Sequence, residues 1–405
     1  MAVEPLLTVD EALARILAGA QPLAGAETLP LATALGRTLA ADVVAKRTQP
    51  PCDVSAMDGY AVRAADFAAP GARAQLVGES AAGHAFSGAL GPGECVRIFT
   101  GAPTPLGADA ILLQEDAVVE AERIGAVRPP GQHIRTAGLD FTEGHVALRR
   151  GRRLGPAELA LAAVTNHAVL AVARRPRVAL LASGDELVPP GSELGPSQIV
   201  SCNNLIAAGL IAQAGGEAID LGIFRDDLGD LERGLALARG EKADVIVTLG
   251  GASVGDRDLL RPALARQGMT LDFWRIAMRP GKPLIFGRLG DAQVLGLPGN
   301  PVAAFVCALV FLQPLLRALQ GDPEAGADRT EAAILGADLP ANKARRDYLR
   351  ASLSQDATGR LVATAQPRQD SSLLTELAES PALILREMGV GPAKAGDPCK
   401  ILRIG

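Results

Sequence analysis

Glu186, Asp226, Asp256 and Asp258 each fall within a few residues of the end of a short apolar run. Open α/β sheets bind ligands beyond the carboxyl ends of their strands, so acids gathered there can share a cation with a bound phosphate. The densest set lies in residues 244–258, DVIVTLGGASVGDRD. Val245, Ile246 and Val247 suit a strand buried on both faces. Gly250 and Gly251 follow, then Ser253, Gly255, Asp256 and Asp258. Glycines at a strand-to-helix turn let backbone N–H groups approach a phosphate closely. For this stretch alone, a tight turn with solvated acids is the plainer alternative.

Two proline-stiffened loops lie downstream. In RPGKP, Arg279 and Lys282 are held by Pro280 and Pro283, so their charges suit a small oxyanion. In LPGNP, Pro298 precedes Asn300 and Pro301, which have N-cap and first-turn preferences for the apolar helix expected over 302–319. Upstream, the loop from Pro50 carries Asp53, Ser55 and Asp58 and shows no periodicity until Tyr60. A loop this long and this polar suits function. Ser183 ends a strand, Thr100 follows another, and Arg135 and Asp140 stand five apart around a turn. In isolation Arg135 and Asp140 suit an exposed pair of little weight. Arg350 and Ser371, near the end of the chain, read in isolation as a surface arginine and a helix-capping serine.

The frame for these residues follows from periodicity. Thr8 and Glu11 form a capping box that opens a helix, and a second helical pattern covers 31–39. Short β runs broken by Gly and Pro occupy 64–144. From Arg177 the pattern alternates strand and helix, which implies a parallel sheet with covered faces. A helix is expected over 256–266 and a β-rich tail after Pro323. The predicted fold class is α/β multidomain: a central parallel-sheet domain (176–322), a β-rich inserted domain (49–144), an N-terminal linking domain (1–48 plus 145–175) and a small C-terminal β-barrel (323–405).

Composition excludes several classes. The net charge of −5 with scattered basic residues gives no nucleic-acid footprint. Five cysteines with no C-x-x-C pair fit neither a disulfide framework nor a zinc finger, and suit a reducing cytoplasm. No signal peptide is evident. The apolar run from Val302 stops at Gln313 and Pro314, short of a membrane span.

PPCDVSAMDGYAVR, IFTGAP, GQHIR, SGDEL, LGIFRDD, GGASVGD, RPGKP and GLPGNP occur in that order along the chain. Together they resemble the molybdopterin molybdenumtransferase family, which includes bacterial MoeA proteins and the C-terminal part of gephyrin. The resemblance runs from about residue 5 to the C-terminus. It implies an elongated homodimer, adenylylated molybdopterin and molybdate as substrates, AMP release, and Mg2+ as helper with zinc as an alternative. It implies catalytic roles for Asp58, Thr100, Asp140, Glu186, Asp226 and Asp258, with Glu186, Asp226 and Asp258 as metal ligands. Substrate contacts map to Arg135, Ser183, Gly250, Gly251, Ser253, Gly255, Asp256, Pro298 and Pro301, and a molybdate pocket to Arg279, Lys282, Arg350 and Ser371. Asp58, Thr100 and Asp140 would face the Glu186 cleft of the other subunit. Expected partners are a molybdopterin adenylyltransferase upstream and cofactor carriers downstream, with no nucleic acid and no membrane.

Arg279 stands where Lys is common, Leu139 replaces a frequent Glu, and Ser201 and Asn204 replace an acid and a base. Rival readings are a molybdopterin adenylyltransferase, a tungstate-inserting enzyme and a non-enzymatic scaffold.

Overall fold

The structure, a computed structural model, describes residues 6–251 and 259–404. The expectations placed on Ser253, Gly255, Asp256 and Asp258 lie outside the described residues. The centre of the chain is a six-stranded sheet. Its order is Glu217–Phe224, Arg177–Ser183, Val245–Leu249, Ala292–Leu297, Ile285–Leu289 and Thr270–Trp274. The first four strands are parallel, as alternation predicts. Ile285–Leu289 runs against both neighbours, so the sheet is mixed rather than wholly parallel. It forms a hairpin with Ala292–Leu297, and no crossover helix separates them. Val245–Leu249 is buried along its full length, as its unbroken β-branched run requires.

Helices Asn203–Gln213 and Leu228–Gly240 pack beside this sheet, and Asp227 caps the second through the N–H groups of Gly229 and Asp230. Only Leu260–Arg266 of the helix expected over 256–266 falls among the described residues. Pro301–Leu319 is a 19-residue helical segment, as expected over 302–319, and Pro314 does not end it. The helix widens to a π-type turn over Ala308–Leu312, just before the proline that lacks an N–H. It is long and apolar enough to cross a membrane, but 72 % of its apolar window is buried, and it forms part of the largest core.

The β-rich region is a six-stranded sheet ordered Ala110–Leu113, Gly59–Val62, Glu94–Ile98, Arg73–Ser80, Arg123–Ala126 and Ala117–Glu120. The C-terminal region closes into a five-strand barrel, because Arg346–Gln355 pairs with both Leu361–Ala365 and Ala382–Arg386. Met278–Arg279 adds in parallel to Arg346 and Asp347, which ties the RPGKP loop to the barrel.

Near the N-terminus the capping box forms, with Thr8 Oγ1 accepting from Glu11 N at 3.2 Å. The helix expected over 31–39 does not form. Only a 3-10 turn, Leu31–Thr33, is present, between Pro30 and a Gly36 with φ of +73°. Just before it, Ala26–Pro30 pairs antiparallel with Val169–Ala173.

Candidate functional site

A cavity of about 880 Å³ opens where the carboxyl ends of the parallel strands meet the barrel. Ser183 and Glu186 reach it from the end of the Arg177–Ser183 strand, Asp226 from beyond Glu217–Phe224, and Gly250 and Gly251 from the end of Val245–Leu249. Arg279, Lys282, Pro298, Pro301 and Ser371 complete the wall. Residues from five of the eight sequence motifs, together with Ser371, thus line one space.

Asp226 stands beside two further acids, Asp185 and Glu186. Burial, then the neighbouring Asp185 and Glu186, raise its carboxyl above the ordinary value. Asp185 also accepts a hydrogen bond from Asp226 N at 3.3 Å. Crowded like charges of this kind favour a bound cation.

The glycine pair works by absence of side chain. A Cβ at Gly250 would lie 2.6 Å from the Ser183 carbonyl, and one at Gly251 would lie 2.9 Å from Leu260 Cβ. Both residues have positive φ, +106° and +61°. The Ser183 hydroxyl is buried with no hydrogen-bond partner among the described residues, so a polar donor sits unused beside this turn.

The cations differ in how free they are. Lys282 is exposed and makes no ion pair among the described residues. Arg279 is bound to the buried Asp347 through one guanidinium nitrogen. Arg350 departs from the expected pocket. It is 1 % exposed, lines no part of the cavity, and donates to the carbonyls of Arg368, Asp370 and Leu373 at 2.9, 2.8 and 3.2 Å. It therefore shapes the loop that carries Ser371, and is not a surface arginine. Ser371 lines the cavity itself and accepts from Asn300 Nδ2 at 2.8 Å, so Asn300 makes no side-chain cap to its own helix.

Several lining residues carried no sequence signal. Arg345 and Gln369 come from the barrel, whose closure brings 345 and 369 together. Asp370 lies there too, with its carboxyl held below the ordinary range by the Ser372 hydroxyl and N–H. Cys202 also lines the wall, and burial raises its thiol. Asn203 donates to Gly299 O at 2.8 Å and braces the LPGNP loop.

A second group forms on the β-rich sheet. Asp58 Oδ1 accepts from Thr100 N at 2.7 Å and from Thr100 Oγ1 at 2.9 Å, which holds its carboxyl below the ordinary value. Arg135 and Asp140 are exposed and make no ion pair with each other. None of these four residues lines the Glu186–Asp226 cavity.

The chain matches three family models: the MoeA N-terminal region (domain I and II) over residues 7–165, a probable molybdopterin binding domain over 179–318, and the MoeA C-terminal region (domain IV) over 332–404. It is 34 % identical to the molybdopterin molybdenumtransferase of Haemophilus influenzae, covering 98 % of both chains. Against the Bacillus subtilis enzyme of the same name identity is 31 %, covering 98 % of this chain and 94 % of that one. Among solved structures, a molybdopterin biosynthesis MoeA protein from Pyrococcus horikoshii superposes with a TM-score of 0.84 at 27 % identity, covering 98 % of this chain and 100 % of that chain. With these motifs, this cavity and these matches along its full length, the chain belongs to the molybdopterin molybdenumtransferase family of molybdenum cofactor biosynthesis.

Proposed function

We propose that this enzyme inserts molybdate into adenylylated molybdopterin and releases AMP. One observation carries the reading: a single cavity gathers two carboxylates, Glu186 and Asp226, two cations, Arg279 and Lys282, and a glycine turn with positive φ. Cleaving a phosphoanhydride beside an oxyanion needs this combination of charges.

Gly250 and Gly251 admit the phosphates, and the Ser183 hydroxyl, without a hydrogen-bond partner among the described residues, donates to one of their oxygens. Lys282 and the free side of the Arg279 guanidinium hold molybdate, with Ser371 oriented by Asn300. Arg350 keeps the Ser371 loop in place. Glu186 and Asp226 offer oxygen donors only, and no group of three metal-ligating side chains exists among the described residues. That set fits Mg2+, which binds one or two carboxylates and completes its shell with phosphate oxygens and water, better than zinc. When bound, Mg2+ neutralises the charge that develops on the phosphates.

Asp58, Thr100, Arg135 and Asp140 line no part of this cavity, which supports a homodimer in which they reach the other subunit's site. The reading places the enzyme in the cytoplasm, after an adenylyltransferase and before cofactor carriers. The test is AMP release from adenylylated molybdopterin with Mg2+, with and without molybdate. Release that depends on molybdate and yields cofactor able to restore an apo-molybdoenzyme supports it. No release from folded protein refutes it.

A further inference from the structure

Behind the cations of the main cavity stands a buried acid. Met278–Arg279 runs parallel to the start of the Arg346–Gln355 strand, with Arg279 in register with Asp347. Backbone pairing therefore sets the two side chains next to each other, and Asp347 Oδ2 accepts from one terminal guanidinium nitrogen of Arg279. Asp347 is 3 % exposed, and its other oxygen is buried without a hydrogen-bond partner among the described residues. The cation on the neighbouring strand gives it no help. Arg386 is in register with Asp347, but it donates to the carbonyls of Pro340 and Gly391 at 3.3 and 2.6 Å. Among the described residues, Arg279 is the one cation paired with Asp347.

Arg279 also stands between two spaces. It lines the main cavity and a smaller one of about 380 Å³, whereas Asp347 lines only the smaller. The guanidinium is thus held from one side, while its side chain stays 55 % exposed. A buried carboxylate that loses its partner is left as an uncompensated charge, so Asp347 needs a cation here. The proposed oxyanion needs one too. A guanidinium spreads five donors over a planar fork and can serve both anions at once, whereas the ammonium of a lysine is one compact charge. Arg279 is a position at which this chain departs from the lysine common in the family, and Asp347 supplies a physical reason.

We propose that Asp347 is a positioning residue that makes arginine necessary at position 279: it holds one end of the guanidinium fork, and the other end binds the tetrahedral oxyanion. The inference rests on the proposed function, which puts that oxyanion beside Arg279 and Lys282. A lysine at 279 would be drawn to Asp347 and away from the oxyanion.

Equilibrium dialysis with molybdate alone tests this on four full-length proteins: wild type, Arg279→Lys, Asp347→Asn and the double variant. Arg279→Lys should weaken molybdate binding about tenfold, because Asp347 takes the ammonium. Adding Asp347→Asn should recover most of that loss. A carboxylate with only a structural role predicts the opposite, a further loss in the double variant. The half-saturating molybdate concentration for AMP release should follow the same order. Urea unfolding gives a readout that needs no ligand: Arg279→Ala should unfold at lower urea than wild type, and Arg279→Ala/Asp347→Asn should regain part of the difference. If Asp347→Asn does not fold, Asp347→Ser takes its place. Full molybdate affinity in Arg279→Lys, or no recovery on removing the carboxylate in either pair of variants, overturns the inference and leaves the proposed function standing. Wild-type protein that binds no molybdate, or binds it no better than Lys282→Ala does, removes the proposed oxyanion site and the inference with it.

Discussion

Replacing Gly250 by alanine tests whether the turn at the end of Val245–Leu249 is as tight as the cavity requires. Two costs add. The residue has φ of +106°, a region that L side chains rarely adopt, which costs about 1–2 kcal/mol. The new Cβ also lies 2.6 Å from the Ser183 carbonyl, closer than real contacts allow. Relieving that overlap moves a buried strand end and costs about 1–3 kcal/mol more. Gly250→Ala should therefore lose about 2–5 kcal/mol. Gly268 separates the two terms: its φ is +85°, and a Cβ there meets nothing within 4 Å. Gly268→Ala should lose only the backbone part, about 1–2 kcal/mol. The assay is urea unfolding followed by tryptophan fluorescence. The sequence has one tryptophan, Trp274, on an edge strand of this same sheet, with Arg261 and Arg275 stacked on its ring at 3.8 and 3.9 Å. The signal therefore reports on the domain that carries the substitution. Equal losses in the two variants would refute the close approach of Gly250 to Ser183.

Arg350→Lys should lower stability by about 3–5 kcal/mol despite keeping the charge, because one ammonium cannot reach three carbonyls from a fully buried stem. Limited proteolysis should then cut near Ser371; an unchanged digestion pattern counts against the bracing role. Lys282→Ala should raise the molybdate concentration needed for half-maximal AMP release about tenfold, with little change in unfolding, since the lysine is exposed. Asp226→Asn should stabilise the folded protein at neutral pH while abolishing activity. The sign follows from the raised carboxyl: its favourable contribution is complete below the ordinary carboxylate pKa and is lost as pH rises through the folded value. Parallel stability–pH curves for wild type and Asp226→Asn would contradict this.

Much of the cavity was legible because its residues obey local rules. Acids and glycines placed after buried strands need only the strand positions to be located, and the Val245–Leu249 run gives that directly. Strand direction was not legible. Ile285–Leu289 has the same apolar character whether it runs with or against its neighbours, and only the hairpin connection decides. Ala26–Pro30 gave no strand signal in AETLP, because its partner Val169–Ala173 lies far along the chain. Arg350 read as a surface residue because its burial depends on the barrel closing and on carbonyls of the 368–373 loop. The Asn300 side chain was read as a local cap, and a tertiary partner, Ser371, took it instead. The last three departures share one cause: a long-range contact overrode a local preference.

The most direct test of the account is a single-turnover measurement of AMP release in wild type and in Glu186→Gln/Asp226→Asn, with Mg2+ and saturating molybdate. Wild type should release AMP, and a variant whose Trp274 fluorescence remains native should release it at least a hundredfold more slowly, about 2.7 kcal/mol in the activation barrier. Release at the wild-type rate from that folded variant would place the cleavage outside this cavity and contradict the central claim.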